Sequence, residues 1–540
     1  MIDPKKYKWQ KYLHKCKKSS NFAAYEYRIQ TIMKRITHIL IAILAIAAIN
    51  IDTVMAVPPV RGLGLKEPQH KSIRQHRGLA RRMARRQNTN KEMRGLIILA
   101  NYSDVQFQPV NDRDGFDSLM NAVNYTYNGA TGSVRKYYRD QSNGQFDMPF
   151  DVVGPVNLPH TMAYYGTDVD TEAADYDRYS ADLIMDACFM ADTVFNVDFS
   201  RYDCDNDGEI DFVFIIYAGY GQADGGSATT IWPHEFDIES ALALGYTNQT
   251  TYYCDYDEQT GYILDENLPV LDGCVLMKYA CANERRKAGG VRNGIGTACH
   301  EFGHVLGLPD YYVTTGDAPM KDEDLEPDAW SIMDYGSHTN AGRTPPNLSA
   351  FDKFYLGWIT PEQLSGYKQV SLPADGQTYC AFTHGTLSPT STDTIWYFES
   401  RKKSGWDTYL PGWGMLVWRI IYDKDDWDYN EVNNNTTRVL VVSADGVTLP
   451  ASDQSQGSLP GIPFPGSSNV TSYNPTNGCE ISDISKGTDG TVSFVFGTAP
   501  TDIKENLSTD KADRLWFDVL GRKISNPAVF NGPLIKVPRD

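Results

Sequence analysis

The sequence predicts an α/β (α+β) domain followed by an all-β domain. Up to about residue 358, helical stretches alternate with strands and long loops. The segment "DFVFIIYAGY" at 211–220 is apolar almost throughout, as in a strand buried on both faces of a sheet. Beyond residue 360, short segments such as "TIWYFESR" and "GMLVWRIIY" are separated by Gly, Pro, Asn and Ser, which is typical of β-structure. A hydrophobic content of 41% excludes wholesale disorder.

The first 93 residues are predicted to lie outside the folded domains. Residues 1–32 are basic and show no periodicity, and we interpret them as an extension caused by a misassigned start, with Met33 as the true first residue. Residues 33–56 have a positive beginning, an apolar run and a small-residue cleavage site, the pattern of a secretory signal peptide; a basic tail before a membrane anchor is the alternative. Residues 57–93 are polar and basic, and we expect either a pro-segment or a flexible leader.

Charge and cysteine content fit an exported protein. The formal net charge is −18, and residues 1–56 are net positive, so the remainder is more acidic still. Such acidity argues against nucleic acid as a partner. The apolar run of the signal is too short for a spanning helix, so we expect a protein that is secreted or at the cell surface, without a membrane span after signal removal. The cysteines are too few for a disulfide scaffold, although Cys254 is able to pair with Cys274 or Cys281.

The predicted α/β domain covers residues 94–360 and the β-rich domain covers residues 361–500. The first domain begins with a strand from about Arg94 and continues with a short helix from Ser133, in "GSVRKYYRDQSNGQF". A final segment at 501–540 contains "DRLWFDVLGRKI", which resembles the short C-terminal sorting modules of secreted Bacteroidota proteins. That resemblance implies cell-surface attachment; a plain final β-hairpin is the alternative.

The segment "GTACHEFGHVLGLPDYY" at 296–312 carries the strongest chemical pattern. Positions four apart share one face of a helix, so the side chains of His300 and His304 are able to bind one metal ion. Glu301 is next to that face and would reach a water molecule on the metal without binding the metal itself. Zinc lowers the pKa of such a water to about 7, and a carboxylate base completes its deprotonation. The alternative is an ordinary helix with two partly buried histidines.

Gly307 and Asp310 extend the pattern to HExxHxxGxxD. A glycine after a helix end lets the chain turn, so Gly307 would bring Asp310 back to the metal as a third ligand. A carboxylate oxygen is an acceptable ligand for zinc at about 2.0–2.2 Å. If Asp310 is not the ligand, a later carboxylate such as Asp317 or Asp334 would have to take its place.

This pattern and the downstream "WSIMDYG" at 330–336 resemble the metzincin peptidases, in which a methionine turn lies beneath the zinc site. The resemblance implies that Met333 is the turn methionine, which is a packing role. It also implies that Tyr335 matches a tyrosine that in some metzincins binds zinc and stabilises the oxyanion; plain core packing is the alternative for Tyr335. Many metzincins have histidine where this sequence has Asp310.

A more specific resemblance is to the immune inhibitor A family of secreted zinc metallopeptidases. It is carried by "HEFGHVLGLPDYY", "WSIMDYG", "GSVRKYYRDQSNGQF", "IDFVFIIYAGYGQADGG", "IWPHE" and "LGWITP", and it covers roughly residues 94–497. The resemblance implies a zincin-like catalytic domain and a secreted endopeptidase of broad specificity, made as a zymogen, that acts on proteins or peptides. Glu301 would then be the general base and the proton donor to the leaving amine.

A second candidate metal site lies in "YDCDNDGEIDF" at 202–212. Acidic residues at alternate positions followed by a glycine are typical of a loop that wraps calcium with oxygen ligands. Glu209 would contribute only its backbone carbonyl, and the glutamate expected at the twelfth place is missing, since Phe214 stands there. A solvated acidic turn is the alternative. The candidate ligands are Asp203, Asp205, Asp207, Glu209 and Asp211.

Two functions from different classes fit these observations. The first is a secreted zinc endopeptidase. The second is a calcium-stabilised surface adhesin or glycan-binding protein with a relic peptidase domain, which the aromatic residues of the β-rich domain would suit. A relic would be expected to lose Glu301 first, because Glu301 serves catalysis more than folding, and its presence favours the enzyme. The tryptophans that would suit the second function are Trp396, Trp406, Trp413, Trp418 and Trp427.

Overall fold

A computed structural model of the chain describes residues 55–56, 93–171, 174–248, 268–286, 290–314, 326–434, 436–446, 459–499, 514–519, 522–524 and 534–538. The chain divides into two compact units, one ending at Phe496 and the other beginning at Gly497. The predicted extension at 1–32, most of the signal peptide and nearly all of the pro-segment lie outside the described residues. Their assignments stay predictions.

Helices and strands alternate along the first part of the chain, so the mixed α/β class is confirmed there. The described helices of this part are α1 (Arg113–Asn121), α2 (Val134–Gln141), α3 (Met162–Gly166), α4 (Ser180–Phe195), α5 (Ile238–Leu244), α6 (Gly296–Leu306) and α7 (Ala350–Tyr355). The described strands are β1 (Met55–Ala56), β2 (Gly95–Asn101), β3 (Phe150–Asn157), β4 (Asp168–Thr171), β5 (Ala174–Asp177), β6 (Glu209–Ile210), β7 (Val213–Tyr220), β8 (His234–Asp237), β9 (Val270–Leu271), β10 (Cys274–Leu276) and β11 (Lys278–Arg285).

The central sheet has six strands in the order β1-β8-β11-β7-β2-β3. Strands β3, β2, β7 and β11 are parallel to one another, whereas β8 is antiparallel to β11 and β1 is antiparallel to β8. Strand β7 lies between β2 and β11, and its Val213 pairs with Leu96 on one side and Tyr279 on the other. A strand inside a mostly parallel sheet is covered on both faces, which explains why the segment at 211–220 is apolar rather than alternating.

Alternate residues of β7 enter two different cores. Val213 and Ile215 belong to a core formed with α4, a helix that is buried along most of its length. Phe214 and Ile216 belong to a second core, which also contains Phe302 of α6. Because side chains alternate across a strand, one sheet separates these two layers. Helix α6 is thereby held against one face of the sheet.

Helix α2 begins where the sequence predicts. Ser133 is its N-cap residue, and the side-chain oxygen accepts a hydrogen bond from the backbone N–H of Lys136 at 3.1 Å. The hydroxyl of Tyr138 on this helix donates to the backbone carbonyl of Cys299 on α6. The predicted helix is therefore confirmed, and it packs on the helix that carries His300.

β-structure follows α7. The elements are β12 (Glu362–Gln363), β13 (Lys368–Leu372), β14 (Tyr379–Phe382), β15 (Ile395–Arg401), β16 (Gly414–Ile420), α8 (Lys424–Asp428), β17 (Val439–Val441), β18 (Tyr473–Thr476), β19 (Cys479–Lys486) and β20 (Val492–Phe496). A five-stranded sheet has the order β12-β14-β15-β16-β17, and a four-stranded sheet has the order β13-β20-β19-β18. The unit beyond Gly497 contains a separate sheet of β21 (Arg514–Asp518), β22 (Lys523–Ile524) and β23 (Leu534–Pro538).

The five-stranded sheet contributes its two faces to two cores. Tyr397 and Trp418 belong to the core that also covers α6. Phe398 and Val417 belong to a core shared with the four-stranded sheet. The α/β part and the β-rich part are therefore joined by continuous apolar packing. The boundary expected at residue 360 does not separate two hydrophobic cores.

Most tryptophans of the β-rich part do not form an aromatic surface. Trp396 and Trp406 are 7% and 5% exposed, while Trp418 and Trp427 are enclosed in the core. Stacking on a glycan requires an exposed ring. The tryptophans of the β-rich part therefore give little support to a glycan-binding function.

Cysteines and apolar helices were the sequence features that bear on export. The described cysteines are buried, and Cys254, the predicted partner of Cys274 or Cys281, lies outside the described residues. That pairing stays a prediction. Within the described ranges, none of the helices combines the length and the apolar character needed to cross a bilayer.

Candidate metal centre

Helix α6 carries the two histidines of the predicted metal site, and every one of its residues is buried. The helix ends at Gly307, whose φ is +102° and whose backbone N–H donates to the carbonyls of Gly303 and His304. This left-handed conformation favours glycine, since a β-carbon would be strained there. The turn reverses the chain and brings Asp310 beside the helix.

The side chains of His300, His304 and Asp310 converge on one point. The two Nε2 atoms are 3.1 Å apart, and Oδ1 of Asp310 lies 3.1 Å from Nε2 of His300 and 3.3 Å from Nε2 of His304. All three side chains are inaccessible to solvent. Ligand atoms that lie about 2.0–2.1 Å from a tetrahedral ion are about 3.3 Å apart. The observed separations therefore fit a single bound metal ion.

Backbone carbonyls orient both imidazole rings. Nδ1 of His300 is 2.7 Å from the carbonyl oxygen of Ile332, and Nδ1 of His304 is 2.8 Å from the carbonyl oxygen of Leu308. A carbonyl oxygen accepts only from a protonated nitrogen, so each Nδ1 carries the hydrogen and each Nε2 presents a lone pair. Both lone pairs are directed at the common point.

The protonation of these groups also suits a metal. Burial lowers the pKa of His300, which favours its neutral form. Burial opposes ionisation of Asp310, but the position of this carboxyl beside His304 and His300 has the larger effect and holds its pKa well below its usual range. A neutral imidazole and a charged carboxylate are the forms that bind metal ions.

Met333 packs beneath α6. It is fully buried, and its carbonyl accepts a hydrogen bond from the backbone N–H of Tyr311 at 2.9 Å. Its thioether lies against Gly303, which is between the two histidines in the helix. A β-carbon on Gly303 would lie only 2.6 Å from Sδ of Met333. Glycine at this position therefore serves close packing rather than an unusual backbone conformation.

Gly303→Ala is expected to destabilise the protein, although alanine is the better helix former. The gain in helix propensity is about 1 kcal/mol, whereas overpacking a filled core costs about 1–3 kcal/mol. Thermal unfolding of the metal-free protein measures the net change. In a Met333→Ala background the clash is absent, so there Gly303→Ala is expected to stabilise. Stabilisation in the wild-type background would contradict the close packing of Gly303 on Met333.

The predicted general base and the predicted oxyanion donor lie in different surroundings. Glu301 is fully buried on α6. Burial raises the pKa of the Cys281 thiol on β11, and the negative charge of Glu301 adds to that shift. Cys281 is thus a neutral thiol, which is a poor metal ligand.

Tyr335, the predicted oxyanion donor, is half-buried and begins a short 3-10 turn, Tyr335–His338.

Asp334, one of the two predicted alternatives to Asp310, has another structural task. Its two carboxylate oxygens accept hydrogen bonds from the backbone N–H groups of Asp328 and Tyr335, both at 2.7 Å. Among the described residues, it is not grouped with the two histidines. It therefore shapes the turn that follows Met333. The other alternative, Asp317, lies outside the described residues.

The alternating carboxylates of the predicted calcium loop also come together. One oxygen from each of Asp203, Asp205 and Asp207 lies within 4.8 Å of the others. Oxygens of Asp203 accept hydrogen bonds from the backbone N–H groups of Asp207 and Gly208 at 3.1 and 3.2 Å. These bonds close the turn and bring three negative charges to one side of it.

Asp211, another predicted calcium ligand, lies outside that group of side chains, and the backbone carbonyl expected from Glu209 stays a prediction. Glu209 begins β6, and its backbone N–H donates to Oδ1 of Asp207 at 3.0 Å. Asp211 is buried and accepts a hydrogen bond from the backbone N–H of Cys204 at 2.8 Å. Phe214, at the twelfth place, is in β7, so the loop continues directly into the central sheet.

Sequence reasoning missed Asn430, which contacts the predicted third ligand. Oδ1 of Asn430 accepts from the backbone N–H of Asp310 at 2.6 Å, and its Nδ2 donates to Oδ2 of Asp310 at 2.7 Å. The polar run "NEVNNN" that begins at Asn430 is unusual inside a β-rich part and was the available signal. The hydrogen-bond partner of Asn430, Asp310, is 120 residues upstream, so no local sequence pattern could identify this contact.

Comparison with known proteins gives consistent matches. Residues 99–262 and 284–359 match the family model for the Immune inhibitor A peptidase M6 catalytic domain. The chain is 27% identical over 270 residues to a Pre-pro-metalloprotease PrtV of Vibrio cholerae serotype O1 (strain ATCC 39315 / El Tor Inaba N16961), which covers 44% of this chain and 26% of that protein. It is 28% identical over 244 residues to Immune inhibitor A of Bacillus thuringiensis subsp. alesti, which covers 42% of this chain and 31% of that protein. The matches thus span less than a third of the length of these relatives.

Proposed function

This chain belongs to the immune inhibitor A peptidase M6 family through residues 99–262 and 284–359, and on that premise we propose that it is a zinc-dependent endopeptidase. The zinc ligands would be His300, His304 and Asp310. The observation that carries the proposal is the convergence of their three buried ligand atoms at separations of 3.1–3.3 Å. Both imidazoles are already oriented for metal binding by backbone carbonyls.

The ligand set suits a catalytic zinc ion. Two imidazole nitrogens and one carboxylate oxygen leave the fourth tetrahedral position open. Cysteines, which are common in closed structural zinc sites, are not part of this group among the described residues. When bound, zinc supplies Lewis-acid polarisation of a carbonyl and lowers the pKa of water to about 7.

Glu301 and Tyr335 are proposed to act on the substrate. Glu301 follows His300 directly on α6, and its carboxylate would take a proton from the attacking water and then give it to the leaving amine nitrogen. Tyr335 is not enclosed in the core, unlike Met333. Its hydroxyl would donate a hydrogen bond to the oxygen that becomes negative in the transition state.

The architecture and the cellular setting extend the proposal. A zincin-like fold is supported by the mostly parallel sheet with its antiparallel strand β8 and by helix α6, which carries the two histidines and packs against this sheet through its apolar residues. Export is supported by the signal-peptide pattern at 33–56, with 57–93 as a pro-segment. Protein substrates outside the cytoplasm would be the partners, and 501–540 would attach the protein to the cell surface.

Hydrolysis of casein by the chain that begins at Val57 tests this function. Mild trypsin treatment beforehand would remove a pro-segment, so activity is measured with and without it. We expect hydrolysis that a zinc chelator abolishes and added zinc restores, together with about one zinc ion per chain. Bound zinc without hydrolysis in either sample would favour the surface adhesin. Hydrolysis that persists in the chelator would contradict a zinc mechanism.

A calcium ion in the turn of Asp203, Asp205 and Asp207 is a separate part of the proposal. Three neighbouring carboxylates repel one another without a cation, and hard oxygen ligands suit calcium. Calcium at about 100 times its dissociation constant is expected to stabilise the fold by about 2.7 kcal/mol. Asp205→Asn is expected to remove this effect, because it deletes one ligand charge and leaves the hydrogen bonds of Asp203 and Asp207 in place.

Thermal unfolding with calcium or with a calcium-selective chelator measures that stabilisation. Zinc content should be equal in Asp205→Asn and wild type, which separates the two sites. A wild-type melting temperature that does not respond to calcium would contradict calcium binding and leave a solvated acidic turn.

A further inference from the structure

We propose that Asn430, which lies outside the matched family domain, positions the third metal ligand and makes it bind through one oxygen only. This inference rests on the proposed function, since it concerns how Asp310 would present itself to the metal. Asn430 is a positioning residue rather than a catalytic one, because its described hydrogen bonds are to Asp310 and Thr314.

The two oxygens of Asp310 are assigned different tasks. Oδ1 faces the Nε2 atoms of His300 and His304 at 3.1 and 3.3 Å. Oδ2 accepts a hydrogen bond from Nδ2 of Asn430 at 2.7 Å. The same asparagine accepts from the backbone N–H of Asp310 at 2.6 Å. One side chain therefore fixes both the backbone and the carboxylate of the ligand.

Asn430 is itself held firmly. It follows α8 and has φ +54°, a left-handed conformation that asparagine adopts more readily than most residues. Nearby, the side chain of Asn433 donates to the backbone carbonyls of Tyr311 and Val439 at 2.6 and 2.9 Å. Oδ1 of Asn434 accepts from the backbone N–H of Thr314 at 2.9 Å. Three asparagines thus join residues 430–434 to the segment that follows α6.

A carboxylate that binds zinc through one oxygen leaves the coordination sphere open. Binding through both oxygens would add a fourth protein ligand atom near the open position, so that a bound water molecule would raise the coordination number to five. Hydrogen bonds to a ligand's far atom fix its orientation, and their loss typically weakens metal binding 10–100-fold. The position of Asn430 beyond residue 360 means that the β-rich part completes the metal centre.

Two variants, one to glycine and one to alanine, distinguish the positioning of Asp310 from general support of the segment after α6. Asn430→Gly removes both hydrogen bonds to Asp310, and glycine accepts the positive φ without strain. Asn434→Ala is the matched control, since it removes a buried asparagine that binds the same segment but does not contact Asp310. Zinc dissociation constants are measured for the chain that begins at Val57 by competition with a chromophoric chelator, alongside the fraction folded by circular dichroism.

We expect the zinc dissociation constant to rise about 10–100-fold in Asn430→Gly and less than about threefold in Asn434→Ala. The cobalt-substituted protein gives a spectroscopic signature, because visible absorption by Co²⁺ weakens when coordination rises from four to five. Weaker absorption is expected only when Asn430 is changed. Asn430→Asp has nearly the same shape and keeps the acceptor for the Asp310 N–H, so it serves for the spectrum if Asn430→Gly does not fold.

The outcomes distinguish this inference from the proposed function. A wild-type chain that binds zinc and hydrolyses casein, together with Asn430 variants whose zinc affinity and cobalt spectrum are unchanged, would overturn the role of Asn430 alone. Equal losses of zinc affinity in Asn430→Gly and Asn434→Ala would also overturn it, since the effect would then come from the loop as a whole. A wild-type chain that binds no zinc would overturn both.

Discussion

Glu301→Gln is expected to lower casein hydrolysis on the order of 10²–10⁴-fold, the usual contribution of a general base, while zinc remains bound. The amide has nearly the same shape as the carboxylate but takes up no proton. Glu301 is buried on α6 beside His300, so a neutral isostere is not expected to disturb the fold. Turnover of casein and zinc content are measured on the same preparation.

Glu362→Gln is the matched control for that variant, because Glu362 is an exposed glutamate in β12. It should retain wild-type turnover. Wild-type turnover by Glu301→Gln would remove Glu301 from the reaction, and loss of zinc from it would mean that Glu301 is a ligand.

Asp310→Asn is expected to weaken zinc binding by more than about 100-fold, beyond the usual loss from an outer-sphere change. The substitution removes the negative charge of the ligand whose Oδ1 lies 3.1 Å from Nε2 of His300. Equilibrium dialysis against zinc at micromolar concentration measures the loss. Hydrolysis should fall in proportion to the zinc that is lost.

Asp334→Asn distinguishes between the two candidate third ligands. Both oxygens of Asp334 accept backbone hydrogen bonds in the turn beside Met333, so this variant is expected to lose about 1–3 kcal/mol of stability and to retain zinc. The opposite pattern, with zinc lost from Asp334→Asn and kept by Asp310→Asn, would exchange the roles of the two residues.

The local features of the site were predictable because local physics determines them. The spacing of His300 and His304 places them on one helix face, and a glycine after the helix at Gly307 marks its end. The cap at Ser133 and the apolar strand at 211–220 are likewise set by residues close in sequence. Such features require only the period of a helix or a strand and the chemistry of its ends.

Other features depend on contacts between distant segments and could not be read from the chain. The need for glycine at Gly303 is set by Met333, which reaches it only after the chain has turned. The reciprocal hydrogen bonds of Asn430 with Asp310 join positions 120 residues apart. No periodic pattern encodes either contact.

The boundary expected at residue 360 illustrates the same limit. A change from mixed to β-rich texture is visible in the sequence, and the structure has that change. Whether two regions share a core depends on which face of a sheet is covered, and Tyr397 and Trp418 face the core of α6. A strand that is apolar on both faces indicates burial on both sides but does not identify the partner.

Zinc K-edge X-ray absorption on the purified chain that begins at Val57 is the most direct test of the zinc site, since it reports the atoms bound to the metal. We expect nitrogen and oxygen ligands at about 2.0–2.2 Å, with the multiple-scattering signature of two imidazoles. Asp310→Asn should alter or abolish this spectrum. A sulfur ligand at about 2.3 Å, or a spectrum with no imidazole contribution, would contradict a zinc site formed by His300, His304 and Asp310.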